Sequence, residues 1–239
     1  MRNVILISAA LLLLTACGKK ESHKNLQISG NIDGLKKGTL LFKKLKDSSL
    51  VTVDSIVING DSKFQSEIDL DSPQMLYLVL DRGVTSSIDN SLMFFAEPGE
   101  MTIDTKLESF YSKAKITGSK NQELYDEFKK VKSRYTDRQL ELSVAKFNAM
   151  KAGKPYSDEQ IKKEGDDLLK KKYLYAINFA VNHKDNEIAP YIALSEISDA
   201  NLKYLDTIRK ILPPNIANSK YGKMLDAHIA ARRKLDNVQ

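Results

Sequence analysis

The chain has 239 residues, a formal net charge of +6, 42% hydrophobic residues and 28% charged residues. Those are globular values; they exclude a disordered chain, and the length holds one large domain or two small ones with real cores. The single cysteine, Cys17, excludes an internal disulfide and any Cys-x-x-Cys motif, so the core alone must hold the fold.

Arg2 opens a stretch in which residues 4–14 are all apolar or small, and Thr15 and Ala16 follow. A charged start, a short apolar centre and a small-residue exit predict a secretory signal over residues 1–16, too short to span a bilayer. Leu14-Thr15-Ala16-Cys17 resembles the bacterial lipobox. That resemblance implies diacylglyceryl transfer to the Cys17 sulfur, cleavage before Cys17 and acylation of the new amino group. Burial of acyl chains yields about 0.8 kcal/mol per methylene, and stable anchoring takes two signals. The lipid bilayer is therefore the first expected partner, reached through acylated Cys17. Residues 17–25 predict a flexible tether, since residues 18–25 contain nothing apolar and reach at most about 28 Å. Gly18 replaces the aspartate of inner-membrane retention, and no acidic export cluster follows. The expected location is the cell envelope, on the outer membrane facing the periplasm.

From residue 26 to about 117, short β-branched runs alternate with turn residues. Residues 26–32, 51–54 and 63–68 alternate with period two, while 75–80 and 92–96 are almost wholly apolar, as in strands covered on both faces. Asp33-Gly34, Lys37-Gly38, Asn59-Gly60-Asp61, Asp71-Ser72-Pro73, Arg82-Gly83 and Pro98-Gly99 punctuate them. Asn59-Gly60 predicts a type I′ hairpin, because that turn needs positive φ at both central residues. About eight strands are expected in residues 26–118, as an antiparallel β-sandwich.

Beyond Gly118 the spacing becomes helical. Ser119 and Gln122 form a capping box, followed at spacings of three and four by Leu124, Phe128, Val131 and Tyr135. Leu140, Val144, Phe147 and Met150 continue that stripe to Gly153 and Pro155. Ser157 and Gln160 open a second helix ending near Asn182. A third begins near Ala189 with Pro190 in its first turn, and a fourth opens at Asp199 and ends at Pro213-Pro214. The last spans about 219–235. The expected fold class is α+β, a sandwich followed by a helical region of about five helices over residues 119–239.

Ile28-Ser29-Gly30-Asn31-Ile32-Asp33-Gly34-Leu35, Val53-Asp54-Ser55 with Gly60 and Phe64, Phe95-Ala96-Glu97-Pro98-Gly99-Glu100 and Ile116-Thr117-Gly118-Ser119 occur in that order. With these motifs the chain resembles the domain of unknown function 4369, a β-domain of Bacteroidota lipoproteins. In that family the β-domain is usually followed by a helical segment and a thioredoxin-like module. Residues 188–191 and 221–225 look like the connecting helical part, and the sequence stops at Gln239, about where such a module would begin. The resemblance places redox chemistry in a Cys-x-x-Cys motif that no residue here can supply, and exchange needs a free attacking thiolate.

Few residues carry catalytic promise. His23 lies in the tether, His183 ends a helix where a cation suits the dipole, and His228 is expected as a partly buried structural residue. No zinc-ligand spacing occurs, so no metal and no cofactor are expected. Glu97 and Glu100 are a carboxylate pair, but Glu-Pro-Gly-Glu also fits a type II turn, which is the stronger reading. Asp166-Asp167 and Asp69-Asp71 read as solvated charges, and no hydrolase, phosphate-loop or zincin motif is present. Tyrosines 125, 135, 156, 173, 175, 191, 204 and 221 repeat on the helical half, where core packing is the main expectation and an interface the second. The excess of lysine lies mostly on predicted helices as solvated surface, with attraction to an anionic membrane as its sharper meaning. The compartment excludes nucleic acid as a partner. The expected function is a non-catalytic binding or scaffold module with a protein partner in the envelope, in sharper form an accessory to a separate thioredoxin-like protein. The alternative is a small-ligand receptor or cofactor-independent enzyme with a site between the two halves. A remnant of a longer redox protein is a third possibility.

Overall fold

The computed structural model describes residues 24–83, 88–153 and 158–236. Cys17, the signal segment, His23, Tyr156 and Ser157 lie outside the described residues. The first half holds eight strands: β1 Leu26–Asp33, β2 Lys37–Lys46, β3 Ser49–Asn59, β4 Lys63–Ile68, β5 Gln74–Asp81, β6 Ser91–Ala96, β7 Gly99–Lys106 and β8 Lys115–Thr117. They form two four-stranded sheets, ordered β4-β1-β7-β8 and β3-β2-β5-β6. All neighbours run antiparallel except β1 and β7, which are parallel from Leu26 opposite Gly99 to Asp33 opposite Lys106. Leu26, Ile28, Leu40, Phe42, Leu76, Leu78 and Phe94 fill the space between the sheets.

The second half contains α1 Lys120–Lys151, α2 Asp158–Asn182, α3 Ile188–Glu196, α4 Leu202–Ile211, the short α5 Pro214–Ala217 and α6 Lys220–Asp236. This is the α+β order read from the sequence, with one extra helical turn. Pro213-Pro214 does end α4, but Pro214 then opens α5, since a proline at the first helical position sacrifices no hydrogen bond.

Successive side chains of a strand face opposite ways, and β5 and β6 use this to serve two cores. Leu92, Phe94 and Ala96 point into the sandwich, whereas Met75 and Phe95 point out and join Leu124, Tyr125, Phe128, Ile192, Tyr221 and Leu225 in a helical core. The run at 92–96 is thus covered on two faces, as its composition implied, whereas the outer side of 75–80 is buried at Met75 and only half-buried at Tyr77 and Val79.

Several local expectations give way to tertiary contacts. Asn59-Gly60 makes no hairpin: β3 pairs with β2, β4 pairs with β1, and only Gly60 of the two has positive φ, at 102°. The Ile32 N–H bonds the Ser62 carbonyl at 3.0 Å and the Gly60 N–H bonds the Lys36 carbonyl at 2.8 Å, drawing the chain onto the other sheet. The two-residue hairpin is instead Asp47-Ser48, with Asp47 at φ 54°. Lys37-Gly38 is no turn but the start of β2. Helix α4 is capped by Asn201, whose Oδ1 accepts the Lys203 N–H at 2.9 Å, while Asp199 accepts the Tyr173 hydroxyl at 2.7 Å. The stripe Leu140, Val144, Phe147 and Met150 is exposed, because α1 turns another face, marked by Leu142, toward the protein. Asn25, read as tether, exchanges two hydrogen bonds with the Leu70 backbone.

Candidate functional site

β2 pairs with β5 only as far as Lys44 opposite Leu76, and beyond that point the two strands part. The N-terminal end of α6 fills part of the breach. The Met75 N–H donates to the Tyr221 hydroxyl at 2.9 Å, and Lys220 Nζ donates to Gln74 Oε1 at 2.6 Å and the Leu45 carbonyl at 3.4 Å. What remains is a cleft of about 990 Å³ between the β2–β3 hairpin and α3 with α6. That volume lies within the range of ligand pockets, roughly 300–1,000 Å³. Leu45, Val51, Val53, Met75, Leu194 and Met224 give it apolar walls; Tyr77, Tyr191 and Tyr221 add amphipathic rings. Three lysines, Lys44, Lys46 and Lys220, and two acids, Asp47 and Asp71, supply its charge.

Burial, with Lys44 alongside, lowers the Lys220 ammonium from the usual lysine value. Its hydrogen-bond acceptors, an amide and a carbonyl oxygen, are both neutral, so an incoming anion would gain more from it than from a solvated lysine. Burial also pushes the Tyr191 phenol up to about 12 and raises Tyr221. Both phenols therefore remain protonated donors at neutral pH. Tyr191 and Tyr221 meet edge to face at 5.0 Å between ring centres, and Phe95 touches both at 5.6 and 5.9 Å. Such pairs contribute about 0.5–1.5 kcal/mol each beyond their burial, which makes this wall of the cleft rigid.

The motifs at 95–100 and 116–119 assemble elsewhere, at the joint between the halves. Glu97 accepts the Lys120 N–H at 2.8 Å, the Asn121 N–H at 3.1 Å, the Ser119 hydroxyl at 3.1 Å and the Asn121 side-chain amide at 2.7 Å. A carboxylate here meets the free amides and positive end of α1. The Asn121 Oδ1 in turn accepts the Ile188 N–H of α3 at 2.8 Å. Ser119 caps Gln122 as the capping box requires, but Gln122 does not reciprocate: its Oε1 takes the Phe95 N–H of edge strand β6 at 2.7 Å. A Cβ on Gly118, which has φ 92°, would fall 2.1 Å from the Glu100 carbonyl oxygen, so only glycine fits. Glu97 is thus a helix-capping group, not half of an acid–base pair, and Glu100 is exposed on β7.

Glu187 sits beside this joint, with its Oε2 3.4 Å from the Asn121 amide. Burial, and to a lesser degree the nearby Glu97 charge, raises its pKa. A carboxyl with a raised folded-state value is a stability cost once ionised, and the cost disappears below the unfolded value. Glu187→Gln is therefore expected to raise the melting temperature modestly at pH 7. The gain should shrink as pH falls through the raised value and vanish below the ordinary carboxylate range, as read from melting curves across pH.

Other sequence candidates fall into structural places. His228 Nε2 lies 2.8 Å from the Ser198 carbonyl oxygen and is partly buried, and His183 packs tilted against Phe179 at 4.3 Å between ring centres. Tyr125 and Tyr221 are core residues, Tyr135, Tyr173, Tyr175 and Tyr191 are partly buried, and Tyr204 is exposed. Asp71 is at the cleft, whereas Asp69, Asp166 and Asp167 are away from it. The lysines of the cleft are not legible in the sequence, because nothing in a periodicity connects position 44 with position 220. The visible signal was Tyr77, a polar interruption in an apolar strand.

The geometry defines an α+β protein whose β-sandwich carries helices on the outer face of one sheet, with an open cleft at one end of that contact. Residues 26–125, the sandwich and the start of α1, match the family model described as Domain of unknown function (DUF4369). The resemblance read from the four motifs is borne out over that span. No curated protein matches the chain. Among the described residues, no helix is long and apolar enough to cross a membrane.

Proposed function

We propose that the chain is a non-catalytic binding module of the cell envelope, anchored through acylated Cys17, with its ligand site in the cleft between the β2–β3 hairpin and helices α3 and α6. The carrying observation is that the contact between the halves is not filled: apolar walls, three phenols and an incompletely paired lysine converge on one opening. A ligand with an apolar or aromatic body and one anionic group matches that lining. The lining also holds hydroxyls and two acids, but no hydrogen bond among the described residues joins Asp47 or Asp71 to Ser72 or Ser195, which supports binding over catalysis. In its sharper form the module presents its ligand to a separate thioredoxin-like protein; that step rests on the family pattern alone, and loss of the gene would then shift the redox state of envelope thiols.

Anilinonaphthalene sulfonate, an aromatic anion, is a direct probe. It is expected to bind the cleft, and Lys220→Met or a cleft-filling Leu194→Trp should each weaken binding about tenfold, or about 1.4 kcal/mol. Fluorescence titration measures this. Affinity unchanged from that of the native chain in both variants would remove the cleft as the site.

A further inference from the structure

Helix α1 carries a second apolar face that the protein's own core does not use. Leu140, Val144, Phe147 and Met150 are 64%, 50%, 66% and 69% exposed. With about 100° per residue and Leu140 as the origin, Val144 lies near 40° and Phe147 near −20°, while buried Leu142 lies near 200°. By the same count Asp137 lies near 60° and Lys151 near 20°, so the apolar stripe has an acid at one end and a base at the other. Both charges are exposed, and neither has an ion-pair partner among the described residues.

We propose that this face is a self-association surface on which two copies of the chain pair their α1 helices antiparallel about a two-fold axis at Val144. The charge pattern selects the occupant. Across such an axis Asp137 of each copy meets Lys151 of the other, so the ion pair forms twice, and Leu140 meets Phe147 twice. Parallel pairing would set Asp137 on Asp137 and Lys151 on Lys151, which repel. The surface is isologous, as two-fold dimers require. One helix pair of this length is at the small end of specific interfaces, so the dimer is weak and is favoured where copies are concentrated. The inference is independent of the cleft reading.

The test uses the full chain in cell envelopes. Val144→Cys places a thiol on the proposed axis, and a short bis-maleimide is expected to convert it to a covalent dimer, which the chain with Cys17 alone does not form. Adding Asp137→Lys, or separately Lys151→Asp, should cut the dimer yield about tenfold, and the two together should restore it. All three positions are exposed, so folding is not at stake. A Val144→Cys chain that stays monomeric overturns the proposal, as does a yield indifferent to the charge changes or a double exchange that fails to rescue. Reaction of that cysteine with a bilayer-confined maleimide, without dimer, would assign the stripe to lipid and equally overturn it.

Discussion

Replacing Phe95 by alanine is expected to cost about 3–5 kcal/mol of stability, the range for a fully buried phenylalanine. The side chain has no exposed surface and lies between Tyr191 and Tyr221, while its neighbour Phe94 faces the other way against Phe42. The substitution leaves the sandwich interior untouched and opens a cavity only where the sandwich meets the helices. For a domain of this size each kcal/mol moves the melting temperature by about 2–4 °C, so a fall on the order of 10 °C is expected. Met75 and Phe95 carry strands of the sandwich into the helical core, and Glu97 and Asn121 bond the two halves, so one cooperative transition is expected for the native chain. A loss below about 1 kcal/mol in chemical denaturation would mean that Phe95 does not join the two cores.

That junction also shows which parts of the fold are legible in the sequence. Period-two alternation at 26–32 and 63–68 and the wholly apolar runs at 75–80 and 92–96 report burial on one face or two, a property each segment carries by itself. Strand pairing is not such a property. Asn59-Gly60 has the residues of a hairpin, yet Ser62 and Lys36 supply hydrogen bonds that pull the chain to the opposite sheet. The α1 stripe misleads in the same way: 3.6-residue periodicity identifies an apolar face, but only the placement of α2 decides which of two faces is covered. The motifs were visible as residues and not as roles. Gly118 leaves room for the helix start to lie against β7, where a Cβ would clash, and Glu97 sets a carboxylate at the free amides of that start. The cleft was least legible, since it exists where a strand ladder stops, and Lys220 reaches it from far along the chain.

Cys17 carries the other large effect. A chain with its own first sixteen residues and Cys17 is expected in the detergent phase of a phase-partition assay and to incorporate labelled fatty acid. The same chain with Cys17→Ser, placed behind a conventional secretory signal, is expected wholly in the aqueous phase and unlabelled. The size of the change follows from the acyl chains: at about 0.8 kcal/mol per buried methylene, one chain binds marginally and two or three bind for practical purposes permanently. Among the described residues no helix is long and apolar enough to cross a membrane, so with the thiol removed the basic side chains are expected to supply the remaining attraction to an anionic surface. Each contributes about 1 kcal/mol near that surface, and added salt screens the attraction. Salt extraction thereby separates the two contributions. A Cys17→Ser chain released from membranes by salt retains the electrostatic contact, and one that resists salt would contradict the lipid anchor. Asn25 is fixed to Leu70, and the residues between it and Cys17 can reach at most about 28 Å, so an acylated Cys17 would hold the sandwich within that distance of the membrane.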